Sequence, residues 1–143
     1  MKNNRLLPIA LGAALFGAGY FAGTSSGTAE AASNRVFEIR TYTANEGKLQ
    51  DLHARFRNHT TRLFAKHGMQ NIGYWSPKEG PLAEDTMVYI LAYPSREAAK
   101  KSWEAFRNDP EWQRAQKASE VNGKLVKKVD SVFLDPTDYS PMK

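Results

Sequence analysis

The chain of 143 residues contains no cysteine. Disulfides and cysteine-built zinc sites are therefore excluded, and a folded part must be held by packing or by association between copies. Other signatures are also missing. There is no G-x-S-x-G, no G-x-G-x-x-G, no phosphate-binding loop and no H-E-x-x-H. Their absence speaks against nucleophilic serine chemistry, nucleotide binding and a zinc enzyme. Histidine is scarce, with three in the chain. Long apolar runs are scarcer, and the one present lies near the N-terminus. Net charge is +5, yet acidic and basic residues alternate along the expected helix faces. The longest basic cluster is Lys124 with Lys127-Lys128. No nucleic-acid motif accompanies it, and nucleic acid is not an expected partner.

What is present begins with a leader. Lys2 and Arg5 precede an uncharged stretch, residues 6–23, rich in Ala, Gly, Leu and Phe. Small polar residues follow, with Ala29-Glu30-Ala31 in a small-x-small arrangement. This order is that of a secretory signal, with cleavage expected before Ala32. The alternative is an uncleaved anchor, since residues 6–23 approach the length needed to span a bilayer core of about 30 Å. Either way residues 1–31 form the targeting segment. Residues 32–143 form one domain that is expected outside the cytoplasm, periplasmic or secreted.

Within that domain "RVFEIRTYT" (Arg35–Thr43) alternates as a half-polar strand. Phe37, Ile39 and Thr41 point one way and Glu38, Arg40 and Tyr42 the other. Leu49, Leu52, Phe56, Leu63 and Phe64 recur at helical spacing between Lys48 and Lys66, and Gly68 suits a helix end. Gln70–Ser76 and Thr86–Tyr93 read as strands, separated by the turn-rich "PKEGPLAED". Ser95 is an expected N-cap for a helix with Ala99, Ser102, Trp103 and Phe106 on one face. "NDPEW" restarts that helix, with Asp109 as cap and Pro110 in the first turn. Leu125–Leu134 is the last strand.

The order β-α-β-β-α-β is that of an α+β, ferredoxin-like domain: one antiparallel sheet with two helices on one face. Met87–Tyr93 is apolar at every position, so both faces of that strand need cover, and two helices cover one. The uncovered face is expected to carry Glu38, Arg40 and Tyr42 together with either Met87/Tyr89/Leu91/Tyr93 or Val88/Ile90/Ala92. Leaving large apolar side chains wet forfeits about 1.5–3 kcal/mol each. A second copy is the simplest cover, which makes a homodimer the expected assembly.

"FEIRTYT", "EGK", "KHG", "IGYW", "EGPL", "DPEW" and "PTDYSP", in that order, resemble the NIPSNAP domain over about residues 35 to 143. The resemblance implies a dimeric α/β barrel in which two ferredoxin-like sheets pack face to face. Related barrel families include cofactor-independent monooxygenases and haem-binding proteins, so haem enters as a conceivable cofactor on that basis alone.

Several residues are candidates for chemistry. Arg40 on a barrel interior would be a buried cation that needs a partner. Glu38 or a ligand's carboxylate or carbonyl could supply it, the former as a purely structural salt bridge. Tyr42 shares its face. Trp75, Tyr89 and Tyr93 could pack on a ligand or simply fill the core. His53, His59 and His67 lie on the first helix. His53 and His67 are about 21 Å apart at the helical rise, too far to share a metal. His59 or His67 could act as a base at a pocket mouth, or either could be a structural helix-flank residue. Three functions follow: a binder of a small, partly apolar ligand in the barrel, a cofactor-free monooxygenase or isomerase using the same pocket, or a scaffold with a filled interior.

Overall fold

The computed structural model describes residues 35–143, so the leader lies outside the described residues. Strand β1 (Val36–Ala44) leads through a turn into helix α1. That helix runs as an α-helix over Leu49–Arg55, a π-helical turn over Phe56–Thr60 and an α-helix over Thr61–Lys66. Strands β2 (Gln70–Trp75) and β3 (Thr86–Tyr93) follow. Helices α2 (Arg96–Asn108) and α3 (Pro110–Ser119) precede β4 (Val126–Leu134). No described helix is long and apolar enough to cross a membrane.

Local chemistry accounts for the boundaries. The Ser95 hydroxyl accepts from the Ala98 N–H at 3.1 Å and starts α2. Asp109 accepts from the Glu111 N–H at 2.7 Å, and Pro110 takes the first turn of α3, where its missing N–H costs nothing. Gly68, at φ +76°, ends α1 in the left-handed region that favours glycine. At Gly73 the Trp75 ring occupies the place a Cβ would take, with its Cη2 at 2.4 Å from that position. Only glycine allows that ring to fold back along the edge strand.

The strands form one sheet in the order β2-β3-β1-β4, with every neighbouring pair antiparallel. This is the expected ferredoxin-like topology. Its helix-covered face carries Met87, Tyr89, Leu91 and Tyr93, packed with Leu52, Phe56, Leu63, Phe64, Ala99 and Phe106 in one core. Edge-to-face and tilted aromatic pairs run through it, among them Phe64–Phe106 at 4.8 Å and Phe106–Trp112 at 4.5 Å between ring centres.

The register corrects one expectation. Tyr42 pairs with Met87, Arg40 with Tyr89 and Glu38 with Leu91. Directly opposed residues share a face, so Glu38, Arg40 and Tyr42 lie on the helix side and not on the uncovered face. Alternation states which residues face together, but it does not say which set meets the helices. The uncovered face carries Phe37, Ile39, Thr41, Val88, Ile90, Ala92, Val132 and Leu134. Part of it is covered by the chain itself. Pro136, Thr137, Ser140 and Met142 line an open groove of about 280 Å³ with Phe37, Ile90 and Leu134. Arg35 holds this C-terminal segment by donating to the Lys143 carbonyl at 3.1 Å.

Candidate functional site

Glu38 is 1% exposed, an expensive place for a carboxylate unless every lone pair is engaged. Four donors engage it. Oε1 accepts from Arg40 at 2.5 Å and from the Ser131 hydroxyl at 2.5 Å. Oε2 accepts from the Tyr93 hydroxyl at 2.6 Å and from the Trp103 indole N–H at 2.8 Å. Burial pushes the Glu38 pKa up. The bonds from Ser131, Tyr93 and Trp103, with the Arg40 charge, outweigh that and hold it below the ordinary value. Tyr93 is displaced upward, by burial first and by its bond to the carboxylate second.

Arg40 leans from Glu38 onto the Trp103 ring, 4.2 Å from its centre, with the Tyr42 ring at 5.7 Å. Its side chain is 17% exposed, its Nε is buried without a partner, and Glu38 is its one side-chain hydrogen-bond partner among the described residues. Burial works against its charge, but the neighbouring Tyr89, Tyr42 and Glu38 more than offset that, so Arg40 stays cationic.

Arg40 opens onto a cleft of about 560 Å³ between the β1–β4 pair and α2. Trp103 and Phe133 supply flat walls, and Arg96, Lys100 and Arg107 stand on the rim with Glu97. Arg96 is stacked on Phe133 at 3.7 Å. Four cations thus face two carboxylates, one of which is already saturated. The cleft can hold an anion.

The sequence-derived candidates divide clearly. Glu38, Arg40, Tyr42 and Tyr93 come together, and Tyr89 packs beside them with its ring 5.3 Å from that of Tyr42. Tyr89 is fully buried, and its hydroxyl has no partner with hydrogen-bonding geometry. Burial raises its pKa well above the usual phenol value, with Tyr42 adding to the effect. Trp75 is elsewhere. It pairs with Val88 on the uncovered face and is 54% exposed. The one-residue phase of β2, shifted by an irregularity between Asn71 and Gly73, turns it away from the aromatic core while Tyr74 turns inward.

The histidines also sit elsewhere. His59 is exposed on the π-helical turn. His67 Nε2 lies 2.7 Å from Asp109 Oδ2 and ties the end of α1 to the start of α3. His53 meets the Ser76 hydroxyl at 3.1 Å. None lines the Arg40 cleft. An extra residue in one turn of α1 shifts the phase of everything after it, which a uniform helical wheel cannot show.

The cleft's walls offer no histidine, cysteine, methionine or tyrosine as an axial ligand, so haem does not fit it. No group of three or more His, Asp or Glu side chains among the described residues could hold a metal ion. The residues missed in the sequence are Ser131, Phe133, Trp103 and the rim cations. A signal existed for the last set. Arg96, Lys100, Trp103 and Arg107 follow one another at four, three and four residues, a single stripe along α2.

Comparison with known proteins agrees with the fold. The NIPSNAP family model matches residues 37–141. A NIPSNAP family protein from Agrobacterium tumefaciens superposes with a TM-score of 0.67 at 24% identity, covering 77% of this chain and 100% of that one. An uncharacterized NIPSNAP-like domain protein from Burkholderia xenovorans gives 0.66 at 20% identity, over 76% of this chain and 90% of its own. SnoaB from Streptomyces nogalater, a cofactor-independent oxygenase, shares the fold more distantly, with a TM-score of 0.52 at 13% identity over 76% of this chain and 98% of its own. None of the curated protein sequences matches. With the family model spanning nearly all of the folded domain, the chain belongs to the NIPSNAP family.

Proposed function

We propose that this protein binds a small molecule with an anionic group and a flat apolar part in the cleft between β1, β4 and α2, and that it works as an exported homodimer. The observation that carries the ligand reading is the Arg40 guanidinium, laid on Trp103 with one carboxylate partner and open to a cleft whose rim adds three more cations. An anion there gains charge-assisted hydrogen bonds, and Trp103 and Phe133 give its apolar part a surface. The ligand sits between sheet and helices and not between two sheets.

Titration of the full-length protein with naphthalene-1-sulfonate, followed by Trp fluorescence, tests this. Binding should weaken with added salt and fall about tenfold or more in Arg40→Met. Unchanged affinity in that variant removes Arg40 as the anchor. Native mass spectrometry of the purified protein would show a co-purifying acid directly.

The cofactor-free oxygenase or isomerase reading uses the same cleft, but its base is lacking there. Glu38 is saturated by four donors, and His59 and His67 lie elsewhere. Replacing all three histidines should leave any turnover intact. The homodimer is supported by the uncovered face, where Val132 and Leu134 stand 55% and 41% exposed beside half-buried Ile39, Val88 and Ile90. A twin sheet would bury them, closing the barrel. Light scattering at micromolar concentration should give twice the chain mass. Export rests on the leader pattern alone, and fractionation of cells expressing the full chain checks it.

A further inference from the structure

A second cavity lies where β1 and β4 meet the π-helical turn of α1 and helix α3. Its volume is about 270 Å³. The walls are aromatic: Tyr42, Phe56, Phe64, Phe106 and Trp112. One end is polar. There Arg55, with a side chain 4% exposed, donates to Glu120 at 2.9 Å, and its Nε is buried without a partner. Lys124 lies at the same cavity, so two cations face one carboxylate. Val129, on the edge strand β4 beside Tyr42, also lines it.

The backbone is irregular at this place. The π-helical turn spans Phe56–Thr60, and both end residues line the cavity. Thr60 donates its hydroxyl to the Arg55 carbonyl at 3.3 Å, bracing the turn from inside. Single π turns inside α-helices are uncommon and frequently mark functional sites.

We propose that this cavity is a ligand site of its own, for a monocyclic aromatic carboxylate. Aromatic walls accept a ring edge-to-face. The excess of cation over carboxylate at the polar end asks for an acceptor with negative charge. The volume falls just under the usual range of roughly 300–1,000 Å³ for drug-sized ligands, which selects one ring. The assignment does not rest on the Arg40 cleft, with which the cavity shares no lining residue.

Fluorine NMR of para-fluorobenzoate with the full-length protein tests it. A saturable shift or broadening is expected, weaker for the neutral para-fluorobenzamide. Val129→Trp should abolish it by filling the cavity; Trp suits an edge strand, and circular dichroism confirms that the fold is kept. Lys124→Glu should weaken binding about tenfold. Lys100→Glu, which alters only the Arg40 cleft, should leave it unchanged. No binding by the native protein, or undiminished binding by Val129→Trp, overturns the proposal. So does loss of binding in Lys100→Glu, which would place the probe in the other cleft.

Discussion

The two faces of this sheet invert the usual arrangement. The helix-covered face buries a carboxylate beside the aromatic core and half-buries the guanidinium paired with it, whereas the uncovered face presents Ile39, Ile90, Val132 and Leu134. The difference shows what decides burial. Glu38 is tolerated inside because four donors converge on it, so the cost of desolvation is met atom by atom. The apolar face has no such internal solution. Its residues are satisfied only by area, and the C-terminal segment supplies part of that at Phe37 and Ile90.

The strongest way to break the comparison is to remove the acceptor at the centre of the covered face. Glu38→Ala strands Arg40, Ser131, Tyr93 and Trp103 together, and should cost about 3–5 kcal/mol in urea unfolding at neutral pH. The same carboxylate sets an acid limb. Its folded pKa lies below its ordinary value of 4.5. Its stabilisation is therefore complete above that value and lost as pH falls below it, through the folded pKa. Glu38→Gln should flatten stability against pH in that window, while a wild-type limb there indicates that other carboxylates dominate.

On the uncovered face the expected effect is smaller and appears in association instead of folding. Val132→Asp puts a charge where a twin sheet would pack. It should weaken self-association by about 1.5–3 kcal/mol, the worth of one large apolar contact, and leave monomer unfolding within about 0.5 kcal/mol. Sedimentation across a dilution series separates the two. Equal loss of monomer stability would mean that the face serves this chain alone.

Much of this arrangement was legible from residue order. The strands, the Ser95 and Asp109 caps and the Gly68 stop follow from local chemistry that acts within a few residues. The grouping of Glu38, Arg40 and Tyr42 followed from alternation. What failed was the choice of face, because polar residues on a strand are normally assigned to the wetter side, and only partners distant in sequence reverse that. Ser131 lies 93 positions from Glu38 and Trp103 lies 65. Periodicity carries no information about such meetings. The same holds for the π turn at Phe56–Thr60 and for the fold-back of Trp75 onto Gly73.

Two tyrosines give the finest comparison, because they share a strand and a face. The Tyr93 hydroxyl donates to Glu38, whereas the equally buried Tyr89 hydroxyl makes no hydrogen bond. Both keep their protons well past the ordinary phenol range, since burial is the leading cause in each. Their removal should nonetheless have opposite signs. Tyr93→Phe deletes one of four donors to a buried carboxylate and should cost about 1.5–3 kcal/mol if the charge is left under-bonded, or nearer 1 kcal/mol if water replaces it. Tyr89→Phe deletes a buried hydroxyl whose desolvation nothing offsets, so stability should stay level or rise by up to about 1 kcal/mol. Thermal unfolding of the two variants side by side decides the matter. A loss in Tyr89→Phe as large as in Tyr93→Phe would mean that the Tyr89 hydroxyl has a partner, with the neighbouring Tyr42 the group best placed to be it.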